Sequence, residues 1–264
     1  MPNTTQQSPT AAEVKAFWEA NPLCASTIQH EPGTLEFFKE HERLRLESEP
    51  AELQRELYEW DRHAGERLLD VGCGTGYVVS LYARGGAKVT GVDIAERSVE
   101  LTKQRLTLLG LTADVRVANA EALPFPDRSF DVVSSFGVLH HTPDTGRALS
   151  EVHRVLKPGG KAILMFYHRN SFAYRLLFPA KRLLQREWAQ KTAQDQVNAV
   201  DGPGNPLGKV FSRQELMALM PGFTDFEFHT WELFFRHAGK MPAFLHDFIA
   251  RRWGWFLYVK ARRV

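Results

Sequence analysis

The apolar run from Leu68 to Val71 opens directly into Gly72, Gly74 and Gly76, ahead of a helix-like stretch that starts near Tyr77. Glycine permits positive φ and lets a ligand lie against bare backbone, so a strand, a tight glycine turn and a helix in this order suit a bound cofactor. About 20 residues on, Asp93 ends the next strand-like run, where a carboxylate can accept hydrogen bonds from ribose hydroxyls. The glycine spacing is GxGxG, and Tyr77 stands where the GxGxxG of dinucleotide enzymes has its third glycine. Loop and acid together point to an adenosine-containing cofactor and leave open which one. Read alone, Asp93 also suits the N-cap of a following helix.

Two adjacent histidines, His140 and His141, follow a fourth apolar run at the carboxyl edge where open α/β sheets bind ligands. An imidazole there can take a proton from a hydroxyl or phenol near neutral pH. Tyr167 and His168 follow the fifth run at the same edge and read as ordinary loop residues. Cys24 and Cys73 form no CxxC pair, and neither they nor His153 have metal-ligand spacing, so no metal is expected. Cys24 reads as structural, because nothing in FWEANPLC would activate a thiol.

The elements that must position these residues follow from periodicity and punctuation. Ala11 to Ala20, Thr34 to Glu47 and Ala51 to Trp60 read as helices, broken by Asn21-Pro22, Pro32-Gly33 and Pro50. Strand candidates then cover 67–72, 88–93, 114–118, 130–135 and 161–166, with helices such as Ser98 to Leu109 and Thr145 to Leu156 between them. This alternation predicts a doubly wound α/β sheet with right-handed crossovers. Residues 167–222 break the rhythm and read as an insertion. It holds a basic amphipathic segment from Ser171 to Gln190, the loop DGPGNPLG from Asp201 to Gly208, and a helix opened by the capping box Ser212 and Glu215. Phe226 to Trp231 and Trp255 to Lys260 supply two more strands.

Several ordered motifs carry a family resemblance. LDVGCGTG, GVDIAE, VANAEALPF (Val117 to Phe125), SFDVVSSFGVLHHTPD (Ser129 to Asp144) and EVHRVLKPGG (Glu151 to Gly160) together resemble the class I S-adenosylmethionine-dependent methyltransferases, in particular the menaquinone and ubiquinone methyltransferase-like group. The tail GWFLYVKARR resembles the last, antiparallel strand of that fold. The resemblance implies a seven-stranded, mostly parallel sheet, with residues 1–64 as a helical lid, 65–264 as the cofactor domain and 167–222 as a substrate cap before the sixth strand. It implies S-adenosyl-L-methionine as cofactor. Gly72, Cys73 and Gly74 would approach its methionine moiety, Asp70 would help hold its ammonium, and Asp93 would take the ribose hydroxyls. Ile94 and Phe136 would pack beside it, with Asn119 and the Ala120 backbone at the polar edge of adenine. Relatives usually carry Asp at the Asn119 position. Relatives that methylate sugar hydroxyls use the first histidine of the pair, which makes His140 the leading base and His141 the second. Relatives often have an acidic residue just past the fifth strand, and none stands at that place here.

Composition bounds the rest. The chain has 264 residues, 44% of them hydrophobic, enough for one large α/β domain with a modest cap. Two cysteines, a polar N-terminus and no apolar run of membrane-spanning length lead us to expect a cytoplasmic protein, monomeric or homodimeric. The formal charge is +2, yet from Tyr167 onward 15 Lys and Arg face 8 Asp and Glu. That basic third suits an anionic acceptor or peripheral membrane contact, and no appended nucleic-acid module accompanies it. The expected function is methylation of a small-molecule acceptor at O, N or C. The alternatives are a quinone or lipid-like acceptor at a membrane surface, or a non-catalytic binding protein that keeps the fold.

Overall fold

In a computed structural model the described residues are 8–22, 27–184, 192–233 and 241–264. Their centre is a twisted sheet. β1 (Arg67–Val71), β2 (Lys88–Asp93), β3 (Asp114–Val117), β4 (Phe130–Phe136) and β5 (Leu156–His168) are mutually parallel where they pair. β7 (Phe223–Trp231) and β8 (Phe256–Arg263) complete the order β3-β2-β1-β4-β5-β8-β7, with β8 antiparallel to both neighbours. A two-residue β6 (Val210–Phe211) adds to the end of β5, so the sheet has eight strands rather than the expected seven.

Helices cover both faces: α4 (Tyr77–Arg84), α5 (Glu96–Leu109), α6 (Thr145–Val155), α9 (Arg213–Leu219) and α10 (Ala243–Trp253). Buried rows such as Leu68, Leu69 and Val71 of β1 explain why its pattern is continuously apolar, since a parallel strand is packed on both sides. The chain order reverses between β1 and β4, and the crevice at their carboxyl ends is where such sheets take ligands.

α1 (Ala11–Ala20), α2 (Leu35–Ser48) and α3 (Ala51–Tyr58) precede the sheet. α1 starts with a capping box, the Thr10 side chain accepting from the N–H of Glu13 while the Glu13 carboxylate accepts from the N–H of Thr10. α5 has no side-chain cap of its own. Glu19 of α1 supplies one, its carboxylate accepting from the N–H groups of Glu96 (2.8 Å) and Arg97 (3.0 Å). α3 is fastened by Glu59, which follows it at positive φ and binds Lys161 (2.7 Å) and Lys260 (2.7 Å); these cations keep its carboxyl below the usual range despite burial.

Between β5 and β7 lie a short π-helical turn at 173–177, α7 (Phe178–Leu184), α8 (Ala193–Asn198), β6 and α9. α9 opens with the expected Ser212–Glu215 capping box. Cys24, Phe234, Phe235 and Arg236 fall outside the described residues, as do the last residues of the basic segment 171–190.

Candidate cofactor and acceptor cleft

The cleft holds a cavity of about 190 Å³ and is partly open to solvent. Its floor is the glycine turn. Gly72 and Gly74 both line it, at φ +83° and +53°. A Cβ at Gly74 would meet nothing within 4 Å, so its bare backbone faces free space. A Cβ at Gly72 would stand 2.1 Å from Val138 Cγ2. The close approach at Gly72 is therefore to the β4 loop, not to a ligand. Gly76 begins α4 in the left-handed region, and a Cβ there would crowd Thr102 of α5.

Asp93 closes one end. Its Oδ2 accepts from Gly74 N–H at 3.0 Å and its Oδ1 from Ala95 N–H at 2.9 Å, leaving a lone pair on each oxygen for a vicinal diol. Burial raises its carboxyl above the usual range, against the pull of the amides. Ile94, Ala118 and Ala120 make an apolar slot beside it. Asn119 borders that slot, but its Oδ1 accepts from Glu121 N–H at 2.9 Å, which fixes the loop and leaves the second lone pair available. The slot, the bare glycine backbone and the paired carboxylate oxygens fit an adenosyl group.

Of the expected contacts, Asp70 and Cys73 do not reach the cleft wall. Asp70 is buried within the sheet and accepts from Ser134 Oγ at 2.7 Å; burial pushes its carboxyl up to about 7. Cys73 is buried against α5, with its Sγ 3.4 Å from Thr102 Oγ1, and burial holds it as a thiol. Strand alternation explains Asp70, since its neighbour Val71 lines the cleft and a residue one step along faces the other side, while Cys73 lies in the turn beyond β1. Phe136 does line the cleft, on the face of Tyr58 (4.3 Å between centroids).

Two helices from outside the sheet complete the walls. α1 contributes Val14 and Trp18. Arg45 of α2 brings a cation to the cleft, held by the fully buried Glu49 at 3.0 Å; Glu49 also accepts from the hydroxyls of Tyr58 and Tyr258. The sequence signal for Arg45 is one basic residue among many in α2, and sequence reasoning passed over it.

At the opposite end the histidine pair splits. His140 is fully buried beneath the wall, its ring 4.0 Å from that of Tyr167 and 4.3 Å from that of His141. Burial, with His141 and Lys209 nearby, drives its pKa well below the ordinary value, so it is neutral. The expected leading base thus has no exposed edge toward an acceptor. His141 does line the cleft. Its Nδ1 meets the Leu207 carbonyl, its Nε2 lies 3.3 Å from Asp201 Oδ2, and Trp18 stands edge-on at 5.4 Å.

Asp201, at the start of the DGPGNPLG loop, also lines the cleft and accepts from the Tyr167 hydroxyl at 2.7 and 2.8 Å. Tyr167, read from sequence as a loop residue, is a buried cleft-wall residue at the end of β5; burial and the Asp201 charge hold its phenol protonated. His168 is buried next to it, with Nδ1 3.0 Å from the Gly254 carbonyl. Among the described residues no group of three or more His, Cys, Asp or Glu could hold a metal ion.

Residues 69–164 match the family described as a methyltransferase domain. Similar curated proteins include a ubiquinone biosynthesis O-methyltransferase of Cereibacter sphaeroides, 36% identical over 145 residues, covering 55% of this chain and 58% of that one. Another with the same name from Pseudomonas aeruginosa is 36% identical over 113 residues, 42% of this chain and 48% of its own. The chain thus spans about half the length of these relatives. Among solved structures, a SAM-dependent methyltransferase of Thermotoga maritima, described as a possible histamine N-methyltransferase, superposes with TM-score 0.55 at 23% identity over 95% of this chain and all of that one. The [4+2]-cyclase SpnF superposes with TM-score 0.59 at 19% identity over 97% of each chain. One fold thus carries different chemistries, and function has to be argued from the cleft.

Proposed function

We propose that this chain, whose residues 69–164 match the methyltransferase-domain family, transfers a methyl group from S-adenosylmethionine to a small-molecule acceptor. The observation that carries this reading is the single cleft that joins the Gly74 and Asp93 end to the His141, Tyr167 and Asp201 end. Gly74, Asp93, Ile94, Asn119 and Ala120 would hold the adenosyl part, and Arg45 would meet the carboxylate of the methionyl part. Asp70 and Cys73 would support the turn from behind.

When bound, the cofactor supplies an electrophilic methyl on a sulfonium whose charge disappears in the transfer. Water therefore has to be excluded and the acceptor aligned. Trp18, Phe136, Met165 and Phe256 line the cleft with apolar surface for that purpose. Residues 1–64 would serve as the lid, with α1 over the cleft, and 167–222 as the cap that chooses the acceptor. The compartment is the cytoplasm and the protein is a monomer or homodimer in this reading. Screening small acceptors for a methyl mass gain tests it, and a chain that binds S-adenosylmethionine yet methylates none of a broad panel would contradict the transfer step.

A lipid-like acceptor such as a quinone, met at an anionic membrane surface, is a second reading. It draws support from Leu183 (65% exposed) and Leu184 (83%) beside Lys181 on α7, from Phe244 (76%) and Phe248 (62%) on α10, and from the names of the curated relatives. No helix among the described residues is long and apolar enough to cross a membrane. Co-sedimentation with phosphatidylglycerol vesicles, absent with phosphatidylcholine alone, is the expected result. Equal failure with both vesicle types removes this reading.

A further inference from the structure

We propose that Asp201, delivered from the insertion between β5 and β7, is the general base of the reaction and that the acceptor is a hydroxyl compound; this rests on the methyl-transfer reading above. Four titratable groups crowd the acceptor end, and geometry distinguishes them. His140 has no face on the cleft. Tyr167 spends its hydroxyl proton on Asp201, which lies within 2.8 Å through both oxygens. His141 has Nδ1 on the Leu207 carbonyl and Nε2 turned toward the Asp201 carboxylate 3.3 Å away. Its Nε2 is itself buried, so neither ring nitrogen is open to a substrate hydroxyl. Asp201 is left as the group at this end with acceptor capacity and a place on the cleft wall.

The surroundings hold that carboxylate in place. Asn205 Nδ2 donates to it at 3.2 Å from its own loop, Tyr167 donates from β5, and His141 faces it from the turn after β4. The other charged group nearby, Lys209, is turned away, donating to the carbonyls of Thr142 and Pro143 at 2.8 Å. That contact ties the insertion to the segment just after the His140–His141 turn.

In the step itself the acceptor O–H gives its proton to a free lone pair of Asp201. The acceptor oxygen forms the new bond to the methyl carbon, and the carbon–sulfur bond breaks with its electron pair remaining on sulfur, which becomes a neutral thioether. The proton then leaves Asp201 for solvent through the open side of the cleft. A carboxylate is a weaker base than imidazole, which matches it to a hydroxyl that ionises readily, a phenol rather than an aliphatic alcohol.

The test uses the full chain with a panel of phenols, aliphatic alcohols, amines and carbon acids, read by mass, together with S-adenosylhomocysteine affinity by calorimetry. Wild type should methylate phenols, with kcat/KM rising with pH on its acid side to a plateau. Asp201→Asn should lose about 100-fold or more in kcat/KM and the acid limb with it, while its S-adenosylhomocysteine affinity stays unchanged. Asp201→Glu should recover part of the rate, and Tyr167→Phe, which removes one donor but not the base, should keep the acid limb. An Asp201→Asn enzyme as active as wild type with the same pH profile overturns the assignment, as does product only from amines or carbon acids, or none from any phenol. A wild type that fails to bind S-adenosylhomocysteine would instead defeat the underlying methyl-transfer reading.

Discussion

Asp93 and Gly72 illustrate two ways in which single residues shape the cleft. In the proposed reading Asp93 takes the ribose hydroxyls, so Asp93→Ala should weaken S-adenosylhomocysteine binding by about 100-fold or more, since charge-assisted hydrogen bonds to two hydroxyls are worth roughly 1.5–3 kcal/mol each. Calorimetry well below the variant's own melting temperature, with the native circular-dichroism spectrum retained, checks this. Gly72 acts through absence: at φ +83° with Val138 2.1 Å from its would-be Cβ, Gly72→Ala should cost about 2 kcal/mol or more and lower the melting temperature by roughly 5 °C. The positions of both residues at the strand end and turn are legible in the sequence, but that Gly72 is reserved for Val138 rather than for a ligand shows only in the fold. The ranking of His140 over His141 is not legible in the sequence. In a 3₁₀ turn successive side chains diverge by about 120°, so neighbours in sequence face different surroundings, and only the fold shows which one reaches the cleft. Asp201 was hidden for another reason, since it reaches Tyr167 across 34 residues of insertion that no local pattern spans.

Among the elements, α1 has an unusual double role, lining the cleft with Trp18 while its Glu19 caps α5. A side-chain cap is worth about 1 kcal/mol. Glu19→Ala should therefore loosen α1 and raise the S-adenosylhomocysteine dissociation constant roughly fivefold, as 1 kcal/mol corresponds to about that factor. Lys15→Ala should leave it nearly unchanged, because the Lys15–Glu96 pair (2.9 Å) is exposed and such pairs contribute little. Comparing the two variants separates capping from surface charge. The helices α1 to α3 and the alternation from β1 to β5 were readable from periodicity and breakers within a few residues. α10 was missed: it follows Pro242 with no side-chain cap, and its apolar residues Phe244, Leu245 and Phe248 are exposed rather than gathered into one buried stripe. β6 is two residues long and exists only because β5 offers it an edge.

For the molecule as a whole, the buried acid in the central sheet makes stability depend on pH. Asp70 ionises near 7 in the folded chain and near its ordinary value of 3.8 when unfolded, so between those values the folded state binds the extra proton. Its contribution therefore falls as pH rises from about 4 to about 7 and is flat above. Asp70→Asn, which keeps a partner for Ser134, should flatten the melting temperature across that window; a variant with the wild-type slope would show that the proton sits elsewhere. The layered α/β plan was legible because each strand–helix unit announces itself locally. How 167–222 folds over the cleft was not, because its contacts are long-range: Lys209 to the 142–145 turn, Asp201 to Tyr167, and Trp255 packed at 4.6 Å on Tyr167. The cleft itself is the claim on which the rest stands. Titration calorimetry of the purified chain with S-adenosylhomocysteine, and separately with NAD, tests it most directly: one-to-one micromolar binding of the first and none of the second is predicted, and binding of NAD, or of neither, would contradict it.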